Sequence, residues 1–334
     1  MRTLDSAVID AAAAKNSFSG VVSVHRGSEE VFARAYGSAH RALGAPNTLD
    51  TRFAIASGSK IFTAIATLKA VEVGALRLNQ PVREVLRDDL PLIDDAVTIE
   101  QLIAHTSGIG DYLDEDADWD VADYVLAAPV HTLDTAAAFL PLVDGFPQRS
   151  TPGAGFSYCN GAYIVLAIVL ERVMGGTFHD ILRRLVFAPA ALPHTDFLRL
   201  DELPGSAAVG YLFDAGDRVN TLHLPVLGNG DGGAFTTAGD LHRFWRALFE
   251  GRLVTPDVVA EMTRPRYDVP DEDMMSGLGV FLSPDGEAAI IEGYDAGVSF
   301  RSTHIPASAT TASVLGNSSE GAWPVIGAMA EAIS

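Results

Sequence analysis

Ser57 and Lys60 stand three residues apart in the stretch AIASGSKIFTAIATLKAVEVG, residues 54–74. The chain holds only three lysines (Lys15, Lys60 and Lys69) among 23 basic residues, so a sequence that otherwise uses arginine places a lysine in the first turn of an apolar helix. A three-residue spacing on a helix sets both side chains on one face, within reach of each other. The helix is expected over 58–74 with Ser57 at its start, where outward N–H groups and the dipole favour negative charge. A serine hydroxyl is a weak nucleophile until a neighbour takes its proton. A lysine in dry surroundings can take it, because burial lowers the amine pKa. Arginine cannot, because it does not deprotonate in proteins. The pair therefore points to nucleophilic acyl transfer. The competing reading is a capping serine beside a solvated lysine, since S-x-x-K also arises by chance.

Such a pair needs a scaffold, and the flanking sequence supplies one. FSGVVSVHRG and EEVFARAYGSAHR read as two strands turning at Gly27-Ser28. VTIEQLIAHTSG starts a helix with Thr98 and Gln101 at capping-box spacing and Gly108 as the stop. NGAYIVLAIVLERVMGG, TFHDILRRLVF and TTAGDLHRFWRALFEG read as further helices, the last capped by Thr236 or Thr237. GLGVFLSP, GEAAIIEG, GVSFRSTHIP and TTASVLGN are short β-rich runs, and AWPVIGAMAEAIS closes the chain as a helix. Strands at both ends and helices between them predict an α+β fold. One antiparallel sheet is built from both termini and flanked by the terminal helices. The expected division is a discontinuous α/β sheet domain, 1–56 and 265–334, and a largely helical domain, 57–264, with the site between them. The acidic run DYLDEDADWD is expected to be solvated surface.

Composition narrows the function. The formal net charge is −20 over 334 residues, which argues against nucleic acid and anionic membrane surfaces as partners. Cys159 is the only cysteine, so no intrachain disulfide forms. The N-terminal stretch is interrupted by Asp5, Asp10 and Lys15 and lacks a signal-peptide apolar run. No window offers about 18 uninterrupted apolar residues. A soluble, cytoplasmic protein is the expectation.

Four segments in order carry a resemblance: RFAIASGSKIFTAIATLKAVEVGALRLNQPVREVL, VTIEQLIAHTSGIGDY, TPGAGFSYCNGAYIVLAIVLERVMGGTFHDILRRLVFAPAAL and GDGGAFTTAGDLHRFWRAL. Together, over about residues 18–316, the chain resembles the serine β-lactamase-like superfamily. That superfamily includes class C β-lactamases, D-alanyl-D-alanine carboxypeptidases, D-aminopeptidases and related esterases. The resemblance implies a β-lactamase/penicillin-binding-protein-like fold and makes Ser57 the acylated nucleophile with Lys60 as its partner. It identifies Tyr158 in SYCN with the family's Tyr-x-Asn motif. Tyr158 would then share the proton traffic, and Asn160 would hold Lys60 and the substrate's carbonyl side. The base for acylation stays open between Lys60 and Tyr158. Cys159, between them, is expected to face the other way.

The third family motif departs. Relatives carry Lys-Thr-Gly or His-x-Gly on a strand lining the site, and the matching stretch here is AIIEGYDAGVSF. With Gly293 as the motif glycine, Ile291 takes the cationic position. The implied oxyanion hole uses the backbone N–H groups of Ser57 and Tyr294, which survive side-chain change. The loss of a cation opposite a substrate carboxylate points to substrates without one, namely small esters, or amides of uncharged acids. A carboxylic esterase or acyltransferase is therefore the favoured function. The alternatives are a β-lactamase, a D-alanyl-D-alanine carboxypeptidase or D-aminopeptidase, and a non-catalytic binding homologue. The expected partner is a small ester, amide or lactam, with no cofactor and no metal.

Three other features are set aside. GNGDGG (228–233) satisfies G-x-G-x-x-G, but Pro225 interrupts the strand-like TLHLPVL before it and no βαβ unit surrounds it. It reads instead as a tight turn near a glycine-rich site wall. The nine histidines show no H-x-H or H-E-x-x-H spacing. His105 is expected to be a structural imidazolium at a helix C-terminus. The absence of G-x-S-x-G argues against an α/β-hydrolase elbow.

Overall fold

The computed structural model describes residues 4–113, 120–269 and 272–333. The hairpin expected at Gly27-Ser28 forms: β1 (Gly20–Arg26) and β2 (Glu29–Tyr36) pair antiparallel with Arg26 opposite Glu29, and a bulge follows Val24. Six more strands complete this sheet: β3 (Tyr267–Asp268), β4 (Met275–Ser276), β5 (Phe281–Leu282), β6 (Ala289–Asp295), β7 (Val298–Ile305) and β8 (Thr310–Gly316). The order is β2-β1-β8-β7-β6-β5-β4-β3, antiparallel throughout. The N-terminal β1 pairs with the C-terminal β8, Gly20 opposite Gly316. The sheet is therefore built from both ends of the chain, as the pattern predicts.

Helix α1 (Ser6–Lys15) opens on Asp5, whose carboxylate accepts the Ala7 N–H. It packs with the last helix against one face of the sheet, where Ile9, Phe18, Val22, Val314, Val325 and Met329 form a core. The other face meets the helices of the middle region. These are α2 (Lys60–Glu72), α3 (Ile99–Ile103), α4 (Asn160–Met174) and α5 (Ala238–Phe249); the last helix, α6, is Trp323–Ile333. Helix α4 is buried without a break from Asn160 to Leu170, as an all-round apolar helix must be. One core runs from Phe62 and Leu166 through Phe244 to Phe300 on β7. Among the described residues no single helix is long and apolar enough to cross a membrane, and the apolar pair 160–174 and 178–187 bends by 78°.

Local signals survive well. The capping box forms in full: the Thr98 hydroxyl accepts the Gln101 N–H and the Gln101 side chain accepts the Thr98 N–H. The Thr237 hydroxyl caps α5 by accepting the Asp240 N–H. Two expectations fail. Helix α3 ends at Ile103, not at Gly108, and His105 takes the left-handed turn at φ +55°. TFHDILRRLVF is not one α-helix, because Phe178–Leu182 passes into a π-turn over Arg183–Phe187.

Candidate active site

Ser57 lies in a 3-10 turn, Ala56–Ser59, that runs directly into α2 at Lys60. The α-helix therefore begins two residues later than the sequence suggests. Ala56 sits at φ +43°, a left-handed conformation that costs a non-glycine residue about 1–2 kcal/mol. The surroundings hold that strain in place. The Ser59 hydroxyl donates to Ala56 O (2.8 Å) and accepts the Ala234 N–H (2.9 Å). The Ile55 N–H reaches Ala234 O at 3.0 Å. Gly58 abuts Phe300 so closely that a Cβ there would stand 2.5 Å from the ring. The GNGDGG turn packs alongside, with the Gly232 Cβ position 3.3 Å from Ala56 O. Its glycines serve this wall, and the segment before it forms no strand.

Lys60 is 5% exposed. Its Nζ reaches three acceptors: Ser57 Oγ at 2.9 Å, Asn160 Oδ1 at 2.7 Å and the Asp231 carbonyl at 2.6 Å. In the neutral amine, two N–H bonds directed at Asn160 and Asp231 leave the lone pair facing the Ser57 hydroxyl. In the ammonium all three protons are satisfied. The site thus holds both protonation states of Lys60 without moving it.

Asn160 owes its place to a residue that the sequence reading assigned to solvated surface. Asp111 is buried, and its carboxylate accepts the N–H groups of Asn160 (2.5 Å), Gly161 (2.9 Å) and Leu113 (3.3 Å). Burial pushes its carboxyl up from the ordinary range, opposed by those three donors. It caps α4, and α4 begins on Asn160. Tyr112 is also committed, donating to Asp231 Oδ2 at 2.5 Å. Burial pushes the Asp231 carboxyl up, while the Lys60 charge pulls it down. Residues 114–119 of the acidic run lie outside the described residues. The link from Asp111 to the Asn160 and Gly161 N–H groups spans 49 and 50 residues and leaves no sequence signature, so Asp111 is not readable from the sequence.

Tyr158 lies with its ring centroid 5.0 Å from Lys60 Nζ and stacks on His105 at 4.5 Å. His105 is no imidazolium. It is buried, and its Nδ1 accepts the Cys159 N–H at 3.1 Å. Burial, reinforced by the Lys60 charge, lowers its pKa to about 3. Helix-end electrostatics lose here to desolvation, which penalises any second cation beside Lys60. Cys159 is buried with Sγ toward Ile109 O at 4.0 Å, and burial pushes its thiol up. It is a packing residue.

Strand β6 forms the opposite wall. Gly293 stands opposite Phe300 and Ile291 opposite Ser302 in the β6–β7 pairing. Ile291 is buried and lines a small pocket with Ser57, Lys60 and Tyr158. An apolar side chain therefore stands where the resemblance places a cation. Arg301 does not replace that cation, because its Nε donates to Glu292 Oε2 at 2.7 Å and a second nitrogen joins the ion pair. Burial pushes the Glu292 carboxyl up, opposed by Arg301. Tyr294 is 42% exposed, and its hydroxyl donates to Glu320 at 2.7 Å.

Ser57, Asn160 and Tyr294 open onto a cavity of about 660 Å³. Leu198, Leu212, Phe213 and Phe235 give it apolar walls. Among the described residues, no three His, Cys, Asp or Glu side chains are grouped to hold a metal ion.

A serine and a buried lysine on one turn, an asparagine brought to the lysine by a second helix, and a sheet strand closing the site define the fold and site of the penicillin-binding-protein and β-lactamase serine hydrolases. The chain belongs to that family: the model described as Beta-lactamase matches residues 4–327. It is similar to the penicillin-binding protein of Bacillus halodurans, with 35% identity and a TM-score of 0.90 over 98% of this chain and 100% of that one. It is 33% identical over 179 residues to a D-aminopeptidase of Brucella anthropi, covering 54% of this chain and 32% of the relative. It is 32% identical over 221 residues to the esterase EstB of Burkholderia gladioli, covering 61% of this chain and 53% of the relative. The chain thus spans about half or less of the length of these last two.

Proposed function

We propose that this chain is a serine acyl hydrolase whose covalent intermediate forms on Ser57, acting on small esters or amides that lack a free carboxylate beside the scissile bond. The observation that carries the reading is the 2.9 Å contact between Lys60 Nζ and Ser57 Oγ, with Lys60 held by Asn160 and Asp231. Ser57 Oγ attacks the substrate carbonyl carbon, and its proton passes to the neutral Lys60 amine or to a Tyr158 phenolate. The tetrahedral oxyanion is stabilised by the N–H groups of Ser57 and Tyr294. The leaving group departs with that proton. Water, activated by the same base, then releases the acid and restores Ser57; an alcohol in its place gives acyl transfer.

The substrate class follows from Ile291 and from the Glu292–Arg301 pair. A hydrogen bond to a charged group contributes about 1.5–3 kcal/mol, or roughly ten- to a hundredfold in binding. A carboxylate substrate forgoes it here. The name of the Burkholderia gladioli relative, an esterase, agrees with this reading. The test compares kcat/KM for p-nitrophenyl acetate and for nitrocefin, together with intact-mass detection of a fluorophosphonate adduct. The ester is expected to be the better substrate, and Ser57→Ala should lose the adduct and at least a thousandfold in turnover. Nitrocefin turnover at or above the ester rate overturns the substrate class. Undiminished labelling of Ser57→Ala overturns the nucleophile.

A further inference from the structure

The cavity beside Ser57 has a charge pattern that acyl transfer does not need. Its charged lining residues are Asp120, Asp231, Asp295 and Glu320, and no lysine, arginine or histidine lines it among the described residues. Asp231 is engaged with Tyr112. Two of the other three adjoin Tyr294: Glu320 accepts its hydroxyl hydrogen bond at 2.7 Å, and Asp295 follows it on β6. Behind burial, the largest cause, Glu320, Asp120 and Asp295 all push the Tyr294 phenol up, so all three act on one point. Hydrogen bonds reach these carboxylates from the Ala122 N–H to Asp120, the Ala296 N–H to Asp295 and the Tyr294 hydroxyl to Glu320.

A second, independent feature of the same cavity calls for a ligand. Asn229 lines it, is 1% exposed, and neither its Nδ2 nor its Oδ1 finds a partner among the described residues. Its carboxamide has a donor and an acceptor to give to a polar group that enters beside it. Clefts lined by one sign of charge between low-dielectric walls concentrate the opposite charge, and a net charge of −20 over the whole chain adds to the attraction.

We propose that this cavity selects substrates bearing a cation, an amine or quaternary ammonium, one short apolar arm away from the scissile ester or amide. The cation lodges among Asp120, Asp295 and Glu320, the arm lies along Leu212 and Phe213, and Asn229 bonds the polar group beside it. The inference rests on the reading of this cavity as the substrate site of the serine hydrolase.

The test uses three unreactive probes with one skeleton: 4-phenylbutylamine, 4-phenylbutan-1-ol and 4-phenylbutyrate. Each is titrated calorimetrically into the full chain, and into Glu320→Gln and Asp295→Asn after their melting curves show that they fold. The amine should bind at least tenfold tighter than the alcohol, and the acid weakest. Either substitution, or added salt, should shrink the advantage of the amine by threefold or more. The amine should also slow fluorophosphonate labelling of Ser57 while the acid does not. The proposal is overturned by an alcohol or acid that binds as tightly as the amine, or by no amine binding at millimolar concentration. It is equally overturned by a preference that both substitutions leave intact, or by amine binding that leaves labelling unslowed. None of the probes is hydrolysed, so the charge preference is measured even if Ser57 forms no adduct, and that second failure strikes the hydrolase reading alone.

Discussion

Gly293 stands against the backbone of the turn that carries Ser57: a Cβ on it would lie 2.1 Å from Ile55 O and 2.9 Å from Ser57 N. Strand and turn touch main chain to main chain, so neither can yield as a flexible side chain would. Gly293→Ala is expected to push β6 away from Ser57 and pull the Tyr294 N–H out of line with it. Activity should fall at least a hundredfold, the scale of losing one oxyanion donor, with about 1–3 kcal/mol lost to overpacking. Esterase kcat/KM and a urea melt measure both. Retained activity would mean that the oxyanion donors lie elsewhere.

Lys60 sits among three acceptors with almost no exposure. Lys60→Arg keeps the charge, but a guanidinium has no lone pair to offer Ser57 at any working pH. The expected loss in kcat is a thousandfold or more across pH 6–10, in the range of about 10²–10⁴ for a general base. A variant within tenfold of the wild type would leave Lys60 as an electrostatic support and make Tyr158 the base.

Asp111 is a positioning residue, acting through Asn160. Asp111→Ala strips the Asn160 and Gly161 N–H groups of their acceptor inside the core. Leaving a buried donor unsatisfied costs about 1–3 kcal/mol. Activity should fall with stability, whereas Asp111→Asn, which keeps one acceptor oxygen, should recover part of both. A shift in the pH–rate profile of Asp111→Asn would show that the Lys60 environment moved with Asn160. A merely structural cap would lower the melting temperature and leave the profile in place.

Acid should weaken the fold well above the carboxylate range. His105 is held neutral with a pKa of about 3, and His242 and His304 with pKa values of about 4, burial being the main cause in each. The ring of His242 stacks on His25 at 4.1 Å, and that of His304 on Trp245 at 5.7 Å. Above pH 6.5 these rings are neutral in both the folded and the unfolded chain, and their contribution is constant. Below 6.5 only the unfolded chain takes up protons, so each ring removes about 1.4 kcal/mol per pH unit until its folded pKa is reached. Chemical-denaturant melts between pH 7 and 4 should show this decline, and His304→Phe should flatten it. A stability unchanged from pH 6.5 to 4.5 would show that these rings titrate normally in the fold.

Much of this molecule is legible in its sequence because the signals are local. The Ser57–Lys60 reach, the turn at Gly27-Ser28, the Thr98/Gln101 capping box and the Thr237 cap each depend on residues two to four apart, and backbone geometry alone brings those together. The pairing of both chain ends in one sheet follows from where the β-rich runs fall.

The environment of those residues came only from tertiary structure. Asn160 and the Asp231 carbonyl reach Lys60 from 100 and 171 residues away. Asp111, in a run rich enough in carboxylates to read as solvated, is buried because α4 needs an acceptor at its start. His105 reads as a helix-end cation and is neutral because it is buried, with the Lys60 charge reinforcing the effect. Spacing along a chain encodes which groups can touch. Desolvation and long-range pairing set their charge, and both depend on what the fold stacks against them.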